Sequence, residues 1–585
     1  LSFEGFFAES IDGGLKRFID AFDQSLLVYR SMRLPFVSLF LGLLCLLAGL
    51  SSADNRPNVL IILVDDLGYS DLGFQGGEID TPHIDRLAND GLTFTQFYNA
   101  ARCGPTRASI MTGLYSHQVG VYELEPVEPD NNIFLSELLG DNGYATYMSG
   151  KWHLGNTPEK LPPARGFHHS YAYQGCCGDY WQPPLYVLES PEVEPIHYGE
   201  GEFHATDATT DYAVKFLQHH QKSEADTPFF LYLAYQAPHS PIQAPKHLID
   251  KYVSRYEIGW DKIREARWKA MKEKGWFKQY DSVPPFSDSP PWHDEHAQPT
   301  PIRKWKSLSK EEKADNARRM ATYAAMVDQV DQGVGKTLAQ LEKMGELDDT
   351  LILFLSDNGA NYEGGPNGND GPLRGKTLAN MGQPGTKHHV GSQWAAMSNT
   401  PLRLYKHFNH EGGILTPFIA YWPKGIKRSG EEERQRGHVI DFMSTIVELA
   451  DIEYPDTFAG NKILPMEGVS LMPAFRGEKI EDRALFFEHE ANRALFKGDY
   501  KLVSKNFTSL DGQTHHDWEL YNIVEDPLEQ NDIASQHYYD MVIPLAREWH
   551  QWATRTDAIV GYEKWMLKLQ YYWQTGLRTY LNDAF

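Results

Sequence analysis

Four segments of the 585-residue chain share a design that leaves little choice of fold: an apolar run that breaks off abruptly into polar groups. They are 58–66 (NVLIILVDD), 144–153 (YATYMSGKWH), 229–239 (FFLYLAYQAPH) and 351–358 (LILFLSDN). A strand that is apolar at nearly every position has no solvent face, which suits a parallel sheet covered by helices on both sides. Helical patterns lie between the runs, from Ala108 onward and over 135–142, 209–220 and 310–344. The alternation predicts an α/β fold with a large mixed, mainly parallel sheet flanked by helices. In open parallel sheets, ligands bind beyond the carboxyl ends of the strands. All four polar clusters sit at such ends, so one site can collect them. Taken singly, each reads as an ordinary strand exit into solvent.

A chain of this length exceeds what one hydrophobic core usually serves, so a smaller companion to the main domain is expected. After about residue 483 short strand patterns replace the long alternation. Segments 484–488, 494–496, 501–503 and 518–521 read as an antiparallel meander, with Lys497-Gly498-Asp499 as a hairpin turn. The expected organisation is a main domain over 54–482, an α+β antiparallel-sheet subdomain over 483–555 and an amphipathic extension over 556–585 that packs on the body. Residues 246–315, polar and bearing Trp and Pro, and the Gly- and Asn-rich stretch 360–400 read as long loops that wall a pocket.

Met32-Arg33, the apolar run 34–50 and Ser51-Ser52-Ala53 read as a signal peptide over 32–53, which places the mature protein in the periplasm or outside the cell. The run is short for a membrane span, so no stable membrane insertion is expected. Residues 1–31 precede a plausible initiator Met and read as an upstream over-extension of the reading frame. A net charge of −24 argues against nucleic acid as a partner, because that binding depends on Lys and Arg neutralising phosphates. An anionic substrate would need a local basic pocket. The four cysteines, Cys45, Cys103, Cys176 and Cys177, are too few for a disulfide scaffold. Adjacent Cys176 and Cys177 can close only a strained ring, so two free thiols near the pocket rim are expected.

Asp65-Asp66 and Asp357-Asn358 each follow an apolar strand and precede a glycine. If the two strand ends are neighbours, three carboxylates converge. Two unit charges about 4 Å apart repel by roughly 4 kcal/mol at an effective dielectric near 20, so the cluster needs a cation or raised pKa values. Three carboxylates and an amide oxygen suit Ca²⁺ or Mg²⁺ better than Zn²⁺. The plainer alternative is a pair of solvated helix N-caps. Cys103-Gly104-Pro105-Thr106-Arg107 reads as a loop entering a helix, whose positive end favours anions. Cys103 is equally a small buried residue on spacing alone. Lys151 and His153 could lie on a surface turn, and His239, set among prolines, could be a rigid loop histidine.

At this point a resemblance becomes specific. C-x-P-x-R at Cys103 to Arg107, followed by Thr112-Gly113, resembles the first signature of the formylglycine-dependent sulfatases, and Gly143 to His153 (GYATYMSGKWH) resembles the second. Segments 58–68, 237–239, 356–359, 399–413 (NTPLRLYKHFNHEGG) and 518–521 are similar to further blocks of that family, so the likeness runs from about residue 56 to about residue 555 and is closest to the arylsulfatase branch. The resemblance implies an alkaline-phosphatase-like fold and oxidation of Cys103 to formylglycine by a separate formylglycine-generating enzyme. It implies one Ca²⁺ per chain, bound by Asp65, Asp66, Asp357, Asn358 and the modified Cys103. Arg107 and Lys151 would hold nucleophile and sulfate, and Asp357 would receive the attacking hydroxyl's proton. His153 would deprotonate the second hydroxyl, while His239 and Lys406 would bind sulfate and protonate the leaving oxygen. Arg403, His407 and Lys376 stand as rivals to Lys406. Thr106 departs from the Ser found in many members and keeps the hydroxyl.

The modification has a physical merit. A thiolate would stall after accepting sulfate, whereas an aldehyde hydrate carries one hydroxyl to attack sulfur and another to collapse and expel sulfate. The expected substrate is therefore a sulfated small molecule or glycan. A phosphate or phosphonate ester hydrolase of the same superfamily, and a non-catalytic calcium-dependent binder of sulfated glycans, are the alternatives. Trp181, Trp276, Trp292 and Trp394 could stack on sugar or aryl rings or pin the loops that carry them.

Overall fold

A computed structural model describes residues 56–128, 131–287, 300–366, 368, 378–505 and 518–559. The signal-peptide and upstream readings, Lys376, Trp292 and the extension beyond residue 559 lie outside these described residues.

Strands β1 (Asn58–Val64), β2 (Leu92–Phe94), β3 (Ala145–Lys151), β4 (His169–Tyr173), β5 (Tyr186–Glu189), β6 (Phe229–Ala234), β7 (Thr350–Ser356), β8 (Phe418–Tyr421) and β9 (Glu431–Glu433) form one sheet, in the order β9-β2-β8-β7-β1-β6-β3-β4-β5. The five neighbours β7-β1-β6-β3-β4 are parallel. Only β5 and β8 run against the rest. The four strands marked out by their apolar runs are consecutive in this sheet, so their polar carboxyl ends share one edge. The fold is thus the mainly parallel α/β sheet expected from the alternation.

Both faces of the sheet are buried, which is why its strands read as unbroken apolar runs. In β1, Leu60, Ile62 and Val64 enter one core while Val59, Ile61 and Leu63 enter the other. Six helices matter here: α1 (Cys103–Thr112), α2 (Ala205–Ser223), α3 (Lys246–Tyr256), α4 (Trp260–Glu273), α5 (Lys310–Met344) and α6 (Asp441–Leu449). Helices α2 and α5 cover the first face through residues such as Phe216, Leu217, Met320 and Val327. Helices α1 and α6 cover the second through Ile110, Met111, Phe442 and Ile446. The helix predicted over 310–344 has those bounds because Ser309 and Glu312 exchange capping hydrogen bonds at its start and Gly345 ends it in a left-handed conformation.

The reading of 246–315 as a loop needs correction, since α3 and α4 occupy much of it. Ile249, Tyr252, Tyr256, Trp260, Ile263, Arg267 and Met271 are buried at three- to four-residue spacing, a helical period masked by the polar outer face. Arg267, itself buried, donates to both carboxylate oxygens of Glu78 (2.8 and 2.9 Å) and to Asp71 (2.7 Å). Asp71 in turn accepts from the Gly68 N–H and from Tyr323. The insertion is thereby fastened to the turn that follows β1.

Trp394 lies in a buried aromatic group, edge-on to Trp260 (5.3 Å), Trp305 (5.7 Å) and Tyr256 (5.6 Å), and its indole N–H donates to Asn316 O at 2.9 Å. It pins its segment rather than facing a ligand. Trp276 is also tied down, by a hydrogen bond to Glu432. Trp394→Ala should cost about 3–5 kcal/mol through the cavity it leaves. That loss would appear as a lower urea midpoint with KM for an aryl sulfate unchanged; a raised KM at normal stability would restore a substrate role.

A second sheet is antiparallel, in the order β10 (Leu485–His489), β11 (Asn492–Lys497), β12 (Tyr500–Ser504), β13 (Glu519–Asn522). The predicted turn falls at Gly498-Asp499, between paired Lys497 and Tyr500. Its counterpart, Glu490-Ala491, links β10 to β11 with both residues at positive φ (48° and 61°), as a tight two-residue hairpin requires. Helix α7 (Ile543–Arg555) packs on this sheet through Trp549 and Trp552. Among the described residues no helix is long and apolar enough to cross a membrane.

Candidate active site

The site begins with the register of β1 against β7. Val64 pairs with Ser356, so the next residues of each strand, Asp65-Asp66 and Asp357-Asn358, emerge side by side. The Asp357 N–H donates to Val64 O (3.0 Å), the Asp66 N–H to Asp357 Oδ1 (3.3 Å) and the Asn358 amide to Asp66 Oδ1 (2.6 Å). All four residues are buried. Asp66 holds φ at 67°, a left-handed conformation that a non-glycine residue adopts at a cost, and such positions cluster at functional sites.

Three further elements close on this corner. Helix α1 begins at Cys103 and brings Arg107 in one turn later. Arg107 donates to Lys151 O (2.9 Å) and Asp357 Oδ2 (2.8 Å), and lies 3.4 Å from Asp65 Oδ2. The Thr106 hydroxyl donates to Asp357 O (2.7 Å) and accepts from the Ala100 N–H (2.9 Å), which accounts for a hydroxyl at that position. Strand β3 ends at Lys151, whose Nζ is 2.5 Å from Asp65 Oδ2. Beyond β6 the chain presents His239, with Nε2 3.4 Å from Asp66 Oδ2 and 3.3 Å from Lys406 Nζ. Lys406 is itself 2.9 Å from Asp66 Oδ1. Its loop can approach because Gly359 has no side chain: a Cβ there would sit 1.8 Å from Gly412 O.

Burial sets the electrostatics. It pushes the Cys103 thiol up to about 11, an effect that Lys151 only partly offsets. It raises Asp357 to about 7, helped by the charge of Asp65. Burial acts on Asp65 too, but Lys151, His239, Arg107 and Lys406 outweigh it and hold that carboxyl far below its ordinary range. Burial, then Lys151 and Arg107, drive His153 well below its usual value, so its imidazole is neutral and able to take a proton. Lys406 stays charged despite burial because Asp66 and Glu363 face it.

The donor set fits a hard divalent cation. Asp65 Oδ1 and Asn358 Oδ1 are buried acceptors with no hydrogen-bond partner among the described residues. Such acceptors call for an ion or water, and the ligand atoms here are all oxygens.

The structure therefore brings Asp65, Asp66, Arg107, Lys151, His239, Asp357, Asn358 and Lys406 into one contact network. The Cys103 thiol is within electrostatic reach of Lys151, Asp65, Lys406 and Asp357. His153, two residues past Lys151, feels Lys151, Arg107 and Asp65. The rivals to Lys406 go elsewhere: Arg403 pairs with Glu519 (2.9 Å), and His407 turns to Glu363 and Glu490. Cys176 and Cys177 are free thiols, partly buried, with Sγ atoms 2.9 Å apart. Sequence reasoning missed Asn361, which donates to Asp66 Oδ2 at 2.7 Å, and Glu363, 3.6 Å from Lys406 Nζ. It also missed Arg102, His489 and Glu490. The only local signal was the density of polar residues after Asp357.

Comparison with known proteins agrees with this geometry. Residues 57–452 match the sulfatase family model, and residues 403–553 match that of the C-terminal region of N-sulphoglucosamine sulphohydrolase. An uncharacterized sulfatase of Schizosaccharomyces pombe is 32% identical over 86% of this chain and 95% of its own length. The arylsulfatase of Klebsiella aerogenes is 32% identical over 72% of this chain and 92% of its own. The crystal structure of Ps i-CgsB in complex with k-i-k-neocarrahexaose has a TM-score of 0.58 at 27% identity, covering 85% of this chain and 93% of that one. The chain belongs to the sulfatase family of sulfuric ester hydrolases. Its sheet is the alkaline-phosphatase-like fold that the sulfatases share.

Proposed function

We propose that the chain cleaves sulfate esters with a formylglycine derived from Cys103, working beside a calcium ion held by Asp65, Asp66, Asp357 and Asn358. The observation that carries this reading is the meeting of two adjacent strand ends with the start of α1, which sets three carboxylates and an amide among three buried cations. When bound, the cation lowers the pKa of the nucleophile's hydroxyl and draws charge from a sulfate oxygen.

The chain's own residues supply the rest. Arg107 and Lys151 present fixed positive charge to a transition state whose charge lies on sulfate oxygens, at no cost of reorganisation. Asp357 receives the proton of the attacking hydroxyl. His153 takes the proton of the second hydroxyl, so that sulfate is expelled from the enzyme without water attacking a crowded anion. His239 and Lys406, 3.3 Å apart, share the sulfate and return a proton to the leaving oxygen. Maturation would need a formylglycine-generating enzyme, and the signal-peptide reading of 32–53 implies export.

The names of the relatives point to aryl sulfates and to amino sugars, including the N-acetylgalactosamine-6-sulfatase of Canis lupus familiaris, 28% identical over 77% of this chain. A sulfated small molecule or glycan is the substrate class we propose. The same oxygen-lined cation site and basic pocket would serve phosphate or phosphonate esters. Paired assays on an aryl sulfate and the matching aryl phosphate are expected to give the higher kcat/KM for the sulfate. The reverse order would move the enzyme to the phosphoryl side of the superfamily.

A further inference from the structure

Beside the catalytic corner lies a second cluster to which the proposed mechanism gives no role. The hairpin tip Glu490-Ala491 of the antiparallel sheet reaches the loop that carries Lys406, and both residues hold left-handed backbone without being glycine. Three ligand-capable side chains meet there. His407 Nδ1 is 2.9 Å from Glu490 Oε2 and 3.3 Å from His489 Nε2, and His489 Nε2 is 3.5 Å from Glu490 Oε1. Four ligands placed tetrahedrally about 2.1 Å from a zinc ion stand roughly 3.4 Å from one another. The two imidazole nitrogens, 3.3 Å apart, match one edge of such a site, and the Glu490 carboxylate faces both of them within the 4.8 Å that one ligand atom from each residue spans.

We propose that His407, His489 and Glu490 form a zinc site, distinct from the cation site of Asp65, Asp66, Asp357 and Asn358. Four observations support it. His489 is 1% exposed, its Nδ1 has no hydrogen-bond partner among the described residues, and its Nε2 faces the other two members of the cluster. His407 Nε2, pointing the other way, lies 3.1 Å from Glu363 Oε1, the carboxylate-to-histidine support that ligating imidazoles usually receive. Arg102 grips Glu490 through Oε1, leaving Oε2 toward His407. Glu363, Glu490 and Glu123 face Arg102 and Lys406, so with neutral imidazoles the pocket carries an excess negative charge. Two imidazoles and one carboxylate are a zinc set, unlike the all-oxygen set next to it.

The competing occupant is a proton on His407, shared between Glu363 and Glu490, and metal analysis separates the two. Full-length mature enzyme, exposed to Zn²⁺ and then dialysed into calcium-containing buffer, is expected to retain one zinc per chain. His489→Gln and Glu490→Gln should each lose it at unchanged calcium content. Cobalt supplied instead should give the visible d–d absorption of a tetrahedral nitrogen and oxygen site, a wild-type readout that needs no variant to fold. Wild-type protein that retains no zinc and shows no such cobalt band would overturn the site, as would zinc held equally well by both variants.

Discussion

Protein produced without a formylglycine-generating enzyme is expected to be folded and soluble but at least about a thousandfold slower on aryl sulfate than the matured enzyme, the scale on which loss of a nucleophile is felt. The reason lies in the surroundings of Cys103. Burial lifts its thiol to about 11, so at pH 7 only about one molecule in ten thousand carries the thiolate. The direction matters: a raised pKa keeps the neutral thiol throughout the physiological range, and reactivity should grow about tenfold per pH unit as pH climbs toward 10. Alkylation of the unmatured protein by iodoacetamide, followed by mass spectrometry at the peptide that carries Cys103 so that the free thiols Cys176 and Cys177 do not contribute, would display that slope. In the matured protein an aldehyde-selective hydrazide should label the chain, and Cys103→Ala should abolish both label and turnover. Full turnover by protein whose Cys103 is shown by mass spectrometry to be unmodified would end the reading.

Much of this arrangement is legible in the sequence because the chemistry sits where the periodicity stops. Val64 and Ser356 are the last residues of β1 and β7, and the carboxylates follow directly. A strand buried on both faces advertises itself, and its carboxyl end is a short, countable distance away. The long helix 310–344 was equally open, since it carries a capping box at one end and a glycine at the other. Helices α3 and α4 were misread because Lys, Arg and Glu crowd their outer faces and hide the buried period of Tyr252, Tyr256, Trp260 and Ile263. For Trp394 the sequence left two readings open, because composition alone cannot tell an aromatic that faces a pocket from one that holds a loop in place, and the buried group around it decides for the second. Glu490 could not be anticipated at all. Its approach to His407 depends on how a hairpin of one sheet meets a loop of another, and no local pattern encodes that. Fixing such a remote group takes tertiary contact, whereas Asn361 and Glu363 lie only a few residues past the end of β7 and carried no signal beyond local polarity.

Removing the divalent cation is expected to abolish turnover, and calcium returned in excess of chelator should restore it. Asp65, Asp66 and Asp357 are buried together, and each pair of like charges about 4 Å apart costs roughly 4 kcal/mol at an effective dielectric near 20. Lys151, Arg107 and Lys406 offset part of that cost, yet they are also the groups needed to hold sulfate. A cation at Asp65 Oδ1 and Asn358 Oδ1, the two acceptors left without a partner among the described residues, would relieve the carboxylates and release the lysines toward substrate. Chelation should therefore lower kcat to background and also lower thermal stability, because the carboxylate cluster loses the counter-charge it was built around. Asp66→Ala is expected to reproduce the loss of activity and to resist rescue by added calcium, since Asp66 is contacted by Asn358, Asn361 and Lys406 at once. Undiminished turnover after exhaustive chelation, with metal analysis showing less than stoichiometric calcium, would leave the carboxylates as partners of the lysines alone and remove the cation from the mechanism.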